Sequence, residues 1–269
     1  MKRISFLFLF FLFSLVSMSQ TAILMVHYGT NNDARRTKTL DAINALVHQN
    51  TGLEVRETYS SKMVIAALKK RNIQKYTIAE ALEALHRDGY RQVVVQPTHL
   101  LDGIMTGIMN EAIAPLRHKF DTIKVGSPLF SSVETCQKMV DVLTRSIPVS
   151  ADSEVFYVGH GTQSMANAVY SMLDYMFREQ GEGNRHVVTI EGYPGFDSLK
   201  KILQTSGHQH VVLVPLLYIA GNHKAEDLDG EWKEELERAG YQVEVVQHGL
   251  GELPEVQQYL VGQIRQLIQ

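Results

Sequence analysis

Val155-Phe156-Tyr157-Val158-Gly159-His160-Gly161-Thr162 sets four β-forming apolar residues directly ahead of a glycine-flanked histidine and a threonine. An apolar run undiluted by alternating polar residues predicts a strand buried on both faces, and Gly-His-Gly-Thr predicts the turn that leaves it. Val26-His27-Tyr28-Gly29-Thr30 resembles Val158-Gly159-His160-Gly161-Thr162, and Gln96-Pro97 to Gly103 resembles Val214-Pro215 to Gly221. The chain therefore repeats itself, each half pairing a strand and Gly-Thr turn with a later strand and Pro turn. Strands are predicted over Ala22 to Val26, Glu54 to Glu57, Gln92 to Gln96, Thr122 to Val125, Val155 to Val158, Val187 to Ile190, His210 to Val214 and Gln242 to Val246. They alternate with segments of helical period, the pattern of parallel sheets covered by helices on both faces. The predicted fold is α/β: two similar domains, each with a parallel sheet flanked by helices, and a cleft between them. The division falls near Pro148 to Asp152, residues 21–148 against 149–269, and the last helix, Pro254 to Ile268, has the option of packing back across the first domain.

The 269 residues are 45% hydrophobic and 20% charged, enough for one large core or two small ones. A net charge of -3, more negative once a leader with Lys2 and Arg3 is removed, provides no basic field for a nucleic acid partner. Cys136 is the only cysteine, which excludes an intrachain disulfide, a thiolate zinc cluster and an iron-sulfur site built from this chain alone. It falls in a segment of helical period and is expected to be a buried structural thiol. Any metal must then be held by His, Asp, Glu or Met. At the start, Lys2 and Arg3 precede an apolar run from Phe6 to Val16, followed by Ser17 and Ser19, the plan of a secretory signal peptide over residues 1–20. The run is short of the about 20 residues that a membrane span needs. The expectation is a periplasmic or otherwise exported protein, soluble after cleavage near Gln20 or Thr21.

In an open parallel sheet, ligands bind at the loops leaving the carboxyl ends of the strands. His160, Glu191 and His223 each follow a predicted strand of the second half, so three potential metal ligands leave one edge of one sheet. Two imidazoles and a carboxylate suit cobalt, iron, nickel or zinc, with a position left for a substrate atom. A single histidine in a Gly-His-Gly turn is more often a hydrogen-bonded loop residue; three candidates at three strand ends favour a site. By the repeat, their counterparts are taken as Tyr28, Glu57 and Met105, so the ligand set is complete only in the second half. His99, after a first-half strand, is a candidate for contact with substrate or equally a satisfied loop histidine. Tyr28, Arg35 and Lys62 border the same expected cleft; Arg35 and Lys62 either begin solvated helices or pair with carboxylates of a ligand. His27 is read as completing its strand, His248 as shaping a turn, and His208 and His210 as surface residues. Ile104, Met105, Ile108 and Met109 form an apolar patch, core or lid, against which a flat ring could lie.

These residues carry a family resemblance. Gly159-His160-Gly161-Thr162, Asn167-Ala168-Val169-Tyr170 with Leu173-Asp174-Tyr175, Glu191-Gly192-Tyr193-Pro194, Pro215-Leu216-Leu217 with Ala220-Gly221-Asn222-His223, and His248-Gly249-Leu250-Gly251-Glu252 resemble the anaerobic-type cobalt chelatases of cobalamin synthesis, relatives of the ferrochelatase fold. In the first half, Gly29-Thr30, Arg36-Thr37-Lys38-Thr39, Tyr59-Ser60-Ser61-Lys62-Met63 and Gln96-Pro97-Thr98-His99 carry the same likeness. The resemblance implies insertion of Co(II) into sirohydrochlorin, an acidic tetrapyrrole, with His160 and His223 holding the metal and Glu191 assisting. His160 is then the principal ligand and base, with Glu191 relaying protons. The family usually carries acidic residues after the first Pro-Gly turn, whereas Asp102-Gly103-Ile104-Met105-Thr106-Gly107 is apolar.

Three functions fit these features. The first is a chelatase that inserts Co(II) or another divalent metal into an acidic tetrapyrrole. The second is an exported protein that captures haem or a related tetrapyrrole, removing its metal or passing it to an outer-membrane uptake system; the leader and apolar patch favour it. The third is a metal-ion carrier without a macrocycle, which needs neither the cleft nor its basic rim. A homo-oligomer is compatible with each.

Overall fold

A computed structural model describes residues 20–148, 150–221 and 224–269. The expected leader falls on residues 1–19, outside the described residues. Among the described residues the strands are β1 Gln20–His27, β2 Glu54–Tyr59, β3 Tyr90–Pro97, β4 Thr122–Val125, β5 Ser153–Gly159, β6 Arg185–Thr189, β7 His210–Leu216 and β8 Gln242–Val245. The α-helices among the described residues are α1 Asp33–Arg36, α2 Ala42–Thr51, α3 Lys62–Lys69, α4 Ile78–Arg87, α5 Ile104–Ile113, α6 Val133–Ser146, α7 Ala168–Glu179, α8 Phe196–Ser206, α9 Lys233–Arg238 and α10 Pro254–Ile268.

The strands form two parallel four-stranded sheets of the same topology, β2-β1-β3-β4 and β6-β5-β7-β8. The repeat extends to register, since Val26 lies opposite Pro97 as Val158 lies opposite Pro215. It also extends beyond the strands: Leu129 N donates to the His99 carbonyl, and Leu250 N donates to the Leu217 carbonyl. Register corrects one pairing. Ser61 N donates to the Tyr28 carbonyl as Glu191 N donates to the His160 carbonyl, so the first-half counterpart of Glu191 is Ser61, not Glu57. Glu57 lies within β2 opposite Met25, where Lys75 and Asn44 hold its carboxylate.

Side-chain alternation divides β1 between two cores, Ala22, Leu24 and Val26 facing α4 and α5, while Ile23 and Met25 face the centre of the molecule. In β5, Val155 and Tyr157 face the same centre, and Phe156 and Val158 pack with Leu199 and Trp232 on the far side. The central core is filled by α6 and α10, the corresponding last helices of the two halves, and each crosses to the other sheet. Tyr157 Oη donates to the Leu143 carbonyl at 3.3 Å and Arg185 donates to the Ile147 carbonyl at 3.0 Å, tying α6 to β5 and β6. Arg265 donates to the Asn50 carbonyl at 3.2 Å, and Gln96 donates to Gln263 at 3.3 Å, tying α10 to α2 and β3. Cys136 lies on the buried face of α6, and burial pushes its thiol pKa up to about 11, as a structural cysteine requires. Among the described residues, no helix is long and apolar enough to cross a membrane.

Candidate active site

The two halves touch at loops that leave the carboxyl ends of their strands. A Cβ placed on Gly103, in the loop after β3, would lie 3.3 Å from the Ala166 Cβ and 3.7 Å from Ser164 Oγ, in the loop after β5. The loop after β3 of the first half and the loop after β5 of the second therefore touch at this point.

On the second half, His160 is the first residue past β5. Its carbonyl accepts from Glu191 N at 2.8 Å, which locks the turn after β5 to the turn after β6. Gly161 makes this approach possible: its φ is +86°, and a Cβ there would come within 2.6 Å of Gly192 N. The backbone thus delivers the His160 and Glu191 side chains to one place, with Nδ1 3.9 Å from Oε2 and exposures of 43% and 57%. His160 Nδ1 also lies 3.1 Å from the Gly161 carbonyl oxygen. His223 lies outside the described residues; β7, the strand that leads toward it, has Leu216 opposite Gly159. Among the described residues no group of three or more His, Cys, Asp or Glu is arranged to hold a metal ion.

On the first half, Tyr28 occupies the position of His160 and is 51% exposed. Lys62 begins α3, exposed, behind a Ser61 cap. Arg35 sits half-buried on α1 with Nη1 enclosed and unpartnered. His99 is buried, not exposed at a cleft surface, its Nε2 3.2 Å from Ser60 Oγ and its Nδ1 without a partner. Burial, with a smaller contribution from His27, pushes its pKa down to about 4. His27 is buried as well, between Thr98 and Asn44, and its pKa is lowered chiefly by desolvation.

These buried imidazoles make stability depend on pH. An unfolded His99 takes up a proton near pH 6.5 while the folded one stays neutral down to about 4, so stability is full above 6.5 and is lost as pH falls toward 4. The gap corresponds to about 3 kcal/mol. His99→Gln should flatten the fall in melting temperature between pH 6.5 and 4; a curve parallel to wild type would show that His99 protonates freely in the folded state.

The family model described as Cobalt chelatase (CbiK) matches residues 21–269. The chain belongs to the cobalt chelatase family. This chelatase is 30% identical over 254 residues to the sirohydrochlorin cobaltochelatase of Salmonella typhimurium, covering 92% of this chain and 96% of the relative. It is 27% identical to sirohydrochlorin cobaltochelatase CbiKC of Nitratidesulfovibrio vulgaris, over 87% of this chain and 86% of that one. Among solved structures, SirB from Bacillus subtilis with Fe3+ shares the fold at a TM-score of 0.70 and 16% identity, over 92% of this chain and 95% of that one.

The chelatase also exposes large apolar residues beyond its strand ends. Met63, Met165 and Tyr193, exposed by 77%, 87% and 76%, lie a few residues past β2, β5 and β6, and Tyr28, Ile104 and Ile108, past β1 and β3, are exposed as well. The available signal was a large apolar residue a few positions beyond a strand end, where a solvated loop needs none. His208 likewise differs from its expected surface role, since its Nδ1 lies 2.9 Å from the buried Glu154, which also holds His186 at 2.8 Å.

Proposed function

We propose that this chelatase inserts a divalent metal ion, Co(II) ahead of Fe(II), Ni(II) or Zn(II), into sirohydrochlorin or a related acidic tetrapyrrole. The observation that carries the reading is the pair His160 and Glu191, half-exposed and 3.9 Å apart past two neighbouring strand ends of the second sheet. His160 is the principal ligand and base, Glu191 assists and relays protons outward, and His223 completes the ligand set. Insertion requires the ion to lose water and two pyrrole nitrogens to lose protons; an imidazole beside a carboxylate accepts such protons and passes them on. Tyr28, with the rim of Met63, Ile104, Ile108, Met165 and Tyr193, lies against the ring face, while Arg35 and Lys62 receive peripheral carboxylates. His99 acts from behind, through Ser60. The cleft in this reading lies between a domain of residues 21–148 and one of 149–269, and the leader over residues 1–20 directs the protein to the periplasm or beyond.

A second reading is favoured by the apolar rim: an exported protein that captures haem, alone or as a homo-oligomer, for an outer-membrane uptake system. Absorption spectroscopy separates the two. The chelatase reading expects Co(II) to enter sirohydrochlorin well above the spontaneous rate; no rate gain together with tight haem binding would replace it with haem capture.

A further inference from the structure

The turns carrying His160 and Glu191 are joined by one side chain. Asn167, at the start of α7, accepts the Thr162 N–H on Oδ1 at 3.0 Å and donates from Nδ2 to the Tyr193 carbonyl at 2.6 Å. Thr162 stands two residues past His160, and Tyr193 two residues past Glu191, so a single amide spans both turns at matching positions. The two bonds have opposite polarity. A carboxylate of the same length accepts but cannot donate, and a serine hydroxyl is too short to reach both, so the site calls for a primary amide.

The second turn is shaped around that amide. A Cβ on Gly192 would come within 2.4 Å of Asn167 Oδ1 and 2.9 Å of Thr189 Oγ1. Thr189 closes the base of the turn, its backbone N and Oγ1 both donating to the Pro194 carbonyl, at 2.7 and 2.9 Å. The first half supplies a contrast. Its Gly-Thr turn has the same local bond, Asn32 N to Thr30 Oγ1 at 3.2 Å, as Ser164 N to Thr162 Oγ1 at 3.3 Å. Counting on from that turn, the position of Asn167 is filled by Arg35, whose Nη1 has no partner. The bridging amide belongs to the half that bears the His–Glu pair.

We propose that Asn167 is a positioning residue, holding His160 and Glu191 at the spacing from which both meet one metal ion. This rests on the reading of that pair given above as ligand and relay. Groups that orient ligands typically cost about 10–100-fold in metal affinity or activity when removed. The test uses the full chain and Co(II) alone as the binding probe, followed by its visible absorption, with metallation kinetics alongside. Asn167→Ala should weaken Co(II) binding and lower kcat/KM for the metal by about 10–100-fold, while KM for the tetrapyrrole stays within about twofold. Asn167→Asp, which keeps the Thr162 bond and repels the Tyr193 carbonyl, should lose about as much. In a Glu191→Gln background, Asn167→Ala should cost under about threefold, because the geometry it maintains has already lost its function. Equal losses in both backgrounds, or unchanged Co(II) affinity in Asn167→Ala and Asn167→Asp, would overturn the positioning role while leaving the chelatase reading intact. A wild type that neither binds Co(II) nor metallates the ring would remove that reading, and this inference with it.

Discussion

His160→Ala is expected to slow Co(II) insertion by about 10²–10⁴-fold, the range for loss of a positioned acid–base group. Folding should be spared. The imidazole is 43% exposed, and the bond that joins the two turns uses the His160 backbone carbonyl, which alanine retains. Removing it opens no buried cavity, so stability should stay within about 0.5 kcal/mol of wild type. Absorbance kinetics with sirohydrochlorin and Co(II), paired with urea unfolding of both proteins, separate chemistry from folding. A variant that metallates within about threefold of wild type would end the assignment of His160 as base and principal ligand.

Gly161→Ala tests the backbone that presents the site. At φ +86° an alanine pays the left-handed backbone cost, and its Cβ would lie 2.6 Å from Gly192 N and 3.0 Å from the Glu191 carbonyl carbon. Both neighbours are main chain, so no side-chain rotation relieves the contact. Backbone strain and overpacking each cost about 1–3 kcal/mol, and a turn displaced by about 1 Å costs about 10²-fold in rate. Gly181 is the control, because its φ is also +86° yet a Cβ there meets nothing within 4 Å. In urea unfolding, Gly161→Ala should be clearly less stable than Gly181→Ala, and it alone should lose activity. Equal destabilisation would mean that the turns are free to separate and that the Gly161 contact is not what aligns His160 with Glu191.

The limits of sequence reading are visible in particular residues. Glu57 and Glu191 look equivalent when each is counted from the nearest apolar run, but hydrogen-bond register pairs Glu191 with Ser61. A strand's end is set by its neighbours: β2 continues through Thr58 and Tyr59 because β1 runs beside it to His27. His99 reads as a cleft residue since it follows a strand, as His160 does. Its ring is enclosed, a result of packing that its own segment does not encode. His186, with its bond to Glu154, carries no sequence signal, because its partner is supplied by β5, 32 residues earlier.

Taken alone, the sequence determined the α/β class, the repeated parallel sheets and the placement of His160 and Glu191 at strand ends. Those features follow from local causes: apolar Val and Ile runs favour buried parallel strands, and Gly-rich turns must follow them. Tertiary structure alone decided that α6 and α10 each cross to the other sheet, that Gly103 meets Ala166, and that Asn167 bridges two turns. Each of these depends on groups far apart in the chain becoming neighbours. Such contacts are chosen by the joint packing of the whole core, which no single segment's period or turn chemistry specifies.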